Sequence, residues 1–244
     1  MLTRRPFLAV AALGGLAMPL LARATDIVRG SGVAATQRRD VGAFSGIALG
    51  GPFAVVLRPA TREALEIVAD DNLLPLIETT VHGSGDDRSL RIELAKNARI
   101  EPRTTIVVTV DVVRVEHLAV GGSGTIDGKT IKTAKLETAI GGSGSIGLDE
   151  LDTGELAIAI GGSGNFRASG RARKLKVNLA GSGRCDTERL AAADVAVAVS
   201  GSGEARVRAD NALSASIAGS GDVYYTGAAT PQVAIVGSGR VKKI

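Results

Sequence analysis

The tripeptide Gly-Ser-Gly recurs seven times in the second half of the chain, with its serine at Ser123, Ser143, Ser163, Ser182, Ser202, Ser220 and Ser238. The intervals are 20, 20, 19, 20, 18 and 18 residues. A period of this length belongs to solenoids and other stacked arrays. The flanking residues narrow the choice. Three before each serine stand Val120, Ile140, Ile160, Leu179, Val199, Ile217 and Ile235. Five before stand Leu118, Thr138, Ile158, Val177, Val197, Ala215 and Val233, and three after stand Ile126, Ile146, Phe166, Cys185, Ala205, Val223 and Val241. Offsets that differ by two describe strands with one face inward, and the helical period of 3.6 fails. Each repeat then holds a strand, a Gly-Ser-Gly turn, a shorter strand and a variable return such as 149–154 or 169–174. The expected fold is all-β: a right-handed parallel β-helix, or solenoid, of 18–20-residue coils. A propeller blade needs about 40 residues and is disfavoured.

The turn chemistry agrees. Glycine reaches positive φ without strain, and stacked corners leave no room for side chains. The seven serines read as structural turn residues, hydrogen-bonding backbone locally or meeting the serine of the next coil. Two after each serine stand Thr125, Ser145, Asn165, Arg184, Glu204, Asp222 and Arg240, a mixture that faces solvent. The core must be aliphatic, because the whole chain has no Trp, four Phe and two Tyr. The single Cys185 excludes an internal disulfide and reads as a small buried residue of an inward column.

The first half divides differently. Residues 1–24 read as an export signal: Arg4-Arg5 resembles a twin-arginine motif, an apolar run follows from Phe7 to Leu21, and Ala22-Arg23-Ala24 suits signal peptidase. The run is short for a membrane span, which needs about 20 residues. Its removal takes three arginines and no acid, which leaves 26 basic against 25 acidic residues, a net charge of +1 instead of +4. A near-neutral chain poor in aromatics has no footprint for nucleic acid. Residues 25–40 read as a flexible tail, and 41–115 as irregular first coils that close the N-terminal end. Strands are expected near 53–57, 65–68, 90–94 and 106–110, a short helical turn over 72–77, and a hairpin loop over 82–88. The regular solenoid occupies 116–244.

Several stretches together resemble a known family. They are Phe44-Ser45-Gly46-Ile47, Gly51-Pro52-Phe53, the run from Asp70 to Ile77 (Asp-Asp-Asn-Leu-Leu-Pro-Leu-Ile), the Gly-Ser-Gly ladder, and Gly219-Ser220-Gly221-Asp222-Val223-Tyr224-Tyr225-Thr226-Gly227. In this order they resemble the putative auto-transporter adhesin head-GIN domain family, over about residues 40–244. The resemblance implies a β-solenoid of the cell envelope with no known activity. That family often carries Asp after Gly-Ser-Gly, and here only Asp222 does.

Catalytic constellations are poor. No Gly-x-Ser-x-Gly elbow is complete, and two histidines, His82 and His117, cannot serve seven equivalent serines. A calcium nonapeptide is excluded by Ile126, Ile146 and Phe166 where it needs Asp. The cluster Asp149, Glu150, Asp152 and Glu155 lacks cation-loop spacing and reads as a solvated turn, with a weak cation site as the alternative. No cofactor, metal site or catalytic residue is expected. The favoured function is non-catalytic: an exported periplasmic or envelope protein presenting a repetitive surface for adhesion, glycan contact or assembly, with an envelope component or glycan as partner. The alternative is a polysaccharide-active lyase or hydrolase, for which the basic cluster Arg167, Arg171, Arg173, Lys174 and Lys176 is the best starting point.

N-terminal sequencing of envelope-extracted protein should begin at Thr25. A membrane-bound form starting at Met1 would refute cleavage. Replacing Arg4 and Arg5 by lysine blocks export if the folded-protein route is used.

Overall fold

A computed structural model describes residues 27–85 and 87–244. The expected export segment, 1–24, lies outside them. The described chain is almost entirely strand. The first half holds β1 (Ile27–Arg29), β2 (Ala34–Arg39), β3 (Gly46–Gly50), β4 (Ala54–Pro59), β5 (Ala64–Asp70), β6 (Ile77–His82), β7 (Ser89–Leu94), β8 (Arg99–Glu101) and β9 (Val107–Val112). The second holds β10 (His117–Gly122), β11 (Thr125–Lys129), β12 (Lys132–Gly142), β13 (Ser145–Gly162), β14 (Asn165–Gly181), β15 (Arg184–Gly201), β16 (Glu204–Gly219), β17 (Asp222–Thr226), β18 (Thr230–Gly237) and β19 (Arg240–Lys243). One 3₁₀ turn, Leu74–Leu76, falls where a helical turn was expected.

From β10 onward the chain winds as a parallel solenoid, each coil in register with the next. Leu136 pairs with Leu156, Ile140 with Ile160 and Gly142 with Gly162; Ile158 pairs with Val177 and Val197 with Ala215. The inward columns are the aliphatic ones, and Ile146, Val177 and Leu156 are fully buried. Size is balanced along them: Phe166 lies beside Cys185, which lies beside Ala205, so one large ring is followed by two small groups. Thr138, the one hydroxyl in its column, donates to Ala157 O at 3.2 Å, which satisfies a polar group the core would otherwise strand.

The corners require both glycines of the tripeptide for different reasons. The one before serine has positive φ, +110° at Gly162 and +115° at Gly201. The one after serine is buried under the previous corner: a Cβ on Gly183 would sit 2.7 Å from Gly164 O and 2.7 Å from the Ile160 side chain. From Ser143 on, each serine N–H donates to the glycine carbonyl one coil back, at 2.9 Å.

At the N-terminal end the coils are not stacked in chain order. β3 lies between β7 and β10, and β4 between β9 and β11, all parallel. The coil of residues 46–59 is therefore sandwiched between segments that follow it in sequence. Antiparallel strands finish the edge, β6 on β7 and β5 on β9, with β2 on β5.

The flexible tail expected over 25–40 is corrected. β1 pairs with β8, β2 pairs with β5, and the loop between them is anchored by the Asp70–Asn72 run. Asp70 is fully buried and accepts backbone N–H bonds from Gly32 (2.8 Å), Arg103 (2.9 Å) and Thr104 (3.2 Å). Asp71 accepts the Ser31 hydroxyl at 2.5 Å, and Asn72 exchanges bonds with Ser31 N and Arg29 O at 2.9 and 2.8 Å. Arg39 donates to the carbonyls of Leu74, the first residue of the 3₁₀ turn, and Ile77, just after it. These ties are polar and backbone-directed, so they leave no apolar period to read.

Burial pushes the Asp70 carboxyl up, but the N–H groups of Thr104, Arg103 and Gly32 outweigh it and hold the group below its ordinary 3.8. Its ionised form therefore stabilises the fold fully above pH 3.8, and the contribution fades as pH falls through the lowered value. Asp70→Asn should lower the unfolding midpoint and free the 27–33 strap, seen as faster amide exchange there. The wild-type advantage should be constant above pH 3.8 and shrink below it; a difference independent of pH would contradict this role.

Candidate functional site

The seven corner serines are exposed in one row along the solenoid. Their hydroxyls make no hydrogen bond among the described residues; the ladder is carried by their N–H groups. Neither histidine meets them. The His117 ring lies 3.4 Å from Glu137, and the His82 ring is 2.8 Å from the Thr80 hydroxyl. Cys185 is fully buried, and burial pushes its thiol up, away from the reactive thiolate.

The acidic cluster is dispersed. Asp152 forms a bidentate pair with Arg171, with Nε–Oδ1 at 2.8 Å. Glu150 accepts the Thr130 hydroxyl at 2.7 Å, and Asp149 the Ser169 hydroxyl at 3.3 Å. Among the described residues no three His, Cys, Asp or Glu side chains gather as a metal site would need. The basic cluster also separates, since alternate residues of a strand face opposite ways and the coil bends between them. Arg167 reaches Asp127 on one face, Arg171 holds Asp152 at the return, and Lys174 and Lys176 stand on another face.

Two outward surfaces result. The strand before each corner presents small residues: Ala119, Ala139, Ala159, Asn178, Ala198, Ser216 and Ala234 form one register column. Towards its edge this face hollows into a trough of about 610 Å³, bordered by Lys174, Lys176, Asp194, Asn211 and Gln232.

The strand after each corner presents charge. Its columns run Thr125, Ser145, Asn165, Arg184, Glu204, Asp222, Arg240 and, two residues on, Asp127, Gly147, Arg167, Asp186, Arg206, Tyr224, Lys242. Opposite charges meet between coils. Arg240 grips Asp222 through two nitrogens at 3.1 and 3.3 Å, and Arg184 lies 3.6 Å from Glu204. The hydrogen bond from Arg240 leads in holding the Asp222 carboxyl below its usual range. Arg206 sits 5.4 Å over the Tyr224 ring. The one break is Gly147, where a side chain would collide with Arg167; its absence lets Arg167 cross a whole coil to Asp127 at 3.2 Å. The gap is also a groove. Two adjoining hollows of about 550 and 630 Å³ share Asp127, Gly147 and Arg167. Together they run from Val56 and Arg58 on β4 to Arg184 and Asp186 on β15. Five stacked strands make this about 19 Å long at ~4.8 Å per strand.

Sequence reasoning missed this groove. Its signal is a lone glycine in a column of long polar residues, four positions after the serine.

Residues 43–229 match the family model described as "Putative auto-transporter adhesin, head GIN domain". The chain belongs to this family. The expected resemblance and the β-solenoid are thereby established. None of the curated proteins matches the chain. Among solved structures, a putative adhesin from Bacteroides fragilis is similar at 22% identity, over 89% of this chain and 100% of that one, with a TM-score of 0.82. A putative lipid binding protein from Parabacteroides distasonis is similar at 23% identity, over 90% and 100%, with a TM-score of 0.74. A putative adhesin from the same organism gives 23%, 90%, 100% and 0.69. At these identities the likeness is one of fold.

A pair of neighbouring substitutions separates the tripeptide's roles. Gly164→Ala would place a Cβ 2.8 Å from Gly144 O and should cost roughly 1–3 kcal/mol in denaturant unfolding. Ser163→Ala, with no side-chain bond to lose, should stay within about 0.5 kcal/mol. Equal costs would mean the hydroxyl has a structural partner.

Proposed function

We propose that the protein is an exported, non-catalytic envelope protein that holds an extended glycan in the groove centred on Gly147. The observation that carries this reading is the lining of that groove. Carboxylate, amide, hydroxyl and guanidinium groups (Asp127, Asn165, Ser145, Arg167, Arg184) line one trough across successive coils. A polyhydroxylated chain offers donors and acceptors at intervals along its length, and such a row can meet them in turn. The pre-paired charges favour binding over catalysis. Asp127 is already engaged by Arg167 at 3.2 Å, so the pair presents fixed, mutually satisfied charges along the trough. Membership of an adhesin-described family supports the envelope location and the binding role.

The test uses exported protein and polysaccharide extracted from the same envelope. Arg167→Ala combined with Arg184→Ala should weaken binding roughly tenfold, about 1.4 kcal/mol, with an unchanged circular dichroism spectrum. Ala198→Gln on the small-residue face should leave it unaltered. Release of reducing or unsaturated sugar ends by wild type, lost in Asp127→Asn or Asp186→Asn, would establish an enzyme instead.

A further inference from the structure

One broad outward sheet face is built from the strands that precede the corners. It stacks β3, β10, β12, β13, β14, β15, β16 and β18, all parallel and in register. Beyond β3 the face turns charged, with Arg91 of β7 beside Ala48 and Glu93 beside Gly50. The midpoint of the small-residue face therefore falls between β13 and β14.

Two columns change character at that midpoint. Two residues before the corner serines, Gly50, Gly121, Gly141 and Gly161 form the first half of one column. Ala180, Ser200, Ala218 and Val236 form its second half. The fold itself does not demand these glycines. A Cβ on Gly121, Gly141 or Gly161 would meet its nearest neighbour at 3.7, 4.0 or 3.9 Å, an ordinary contact, and none of the three has positive φ. Glycine weakens a strand, and where its own chain does not crowd it, it marks close approach by another group. The second column runs Lys135, Glu155, Lys174, Asp194, with signs alternating about the same midpoint. Beyond the corner, stacked opposite charges close on each other, as Arg240 does on Asp222. Here, among the described residues, only Lys135 of the four is ion-paired, to Glu137 on its own strand.

We propose that this face binds the same face of a second copy of the chain, about a two-fold axis lying along the strands between β13 and β14. The rotation sets each column on its own counterpart and reverses the order of coils. β13 then faces the partner's β14, β12 its β15, β10 its β16 and β3 its β18. Each glycine meets a side chain: Gly161 the partner's Ala180, Gly141 the partner's Ser200, and Gly50 the partner's Val236, which is 76% exposed in the single chain. Unlike charges meet too, Lys135 with the partner's Asp194 and Glu155 with the partner's Lys174. Six residues before the serines, long side chains meet short ones: Glu137 the partner's Ala196, Lys176 the partner's Ala157, and Gln232 the partner's Gly46. The trough bordered by Lys174 and Asp194 receives the partner's Lys135. An axis displaced by half a coil, onto β13, would instead set Lys135 against Lys174 and Glu155 against itself. Eight strands and seven residues along each give a footprint on the order of 900 Å². A standard interface buries about 800 Å² per partner. The two-fold axis closes the assembly at two, and the Gly147 groove, beyond the corner, stays open.

Analytical ultracentrifugation of the exported chain should show a concentration-dependent dimer. Gly161→Leu fills a position that has room in the single chain, so its circular dichroism spectrum should be retained. Its dimer dissociation constant should rise roughly 100-fold or more. Lys174→Glu places two like-charge pairs across the axis and should weaken the dimer about tenfold or more. Adding Glu155→Lys exchanges the charges and should restore association to within about threefold of wild type. A monomer at every soluble concentration, a dimer indifferent to Gly161→Leu, or an exchanged protein as weak as Lys174→Glu alone would overturn the proposal. A monomeric wild type whose binding to envelope polysaccharide is lost in Gly161→Leu would overturn it too, and would give the face to a glycan.

Discussion

Each corner of the solenoid lies directly on the backbone of the corner before it, and every other feature inherits its position from that contact. The serine N–H reaches the glycine carbonyl one coil back at 2.9 Å, repeatedly, from Ser143 to Ser238. A side chain on the buried glycine would lift the coil off its neighbour. With the corner fixed, the alternation of a strand sends the residues three and five positions away into the core and their neighbours out. Insertions are absorbed in the returns, where the register shifts between Leu148 and Leu151 and between Thr187 and Ala191. The corner and the long strand before it remain in step.

A stack of this kind has two ends, and ends are where a repeat cannot be self-sufficient. The N-terminal end is closed by strands that abandon the repeat: antiparallel β5 and β6, with β2 strapped over them. Asp70 ties that strap down by answering three backbone N–H groups that have no strand partner. The Asp70–Ile77 run is thus a closing device, which accounts for a motif unlike the repeats around it. Among the described residues the last coil has no such strap, and Val233 and Ile235 on it are exposed.

Because the interior is committed to aliphatic columns, chemistry can vary only on the outward positions. There the spacing of about 4.8 Å between coils makes each side chain a neighbour of its counterpart above and below. Charges of opposite sign pair along the axis, and one missing side chain, at Gly147, is enough to open a groove. The surface is a lattice whose recognition properties depend on which columns are filled.

The sequence by itself determined the repeat, its period, and which residues face inward, because these follow from a two-residue alternation around a fixed tripeptide. It also held the 3₁₀ turn near Leu74 and the hairpin that joins β6 to β7. It did not reveal the strands Ile27–Arg29 and Ala34–Arg39, since β2 is an exposed edge held by Arg38, Arg39 and backbone bonds without an apolar face. It could not reveal that residues 46–59 stack between 89–112 and 117–129, because parallel pairing is non-local and leaves no mark on chain order. The groove was likewise decided in three dimensions. A glycine at position 147 becomes a cavity only when Asp127 and Arg167 are stacked on either side of it, and stacking is a property of the coil, not of the neighbouring residues in sequence.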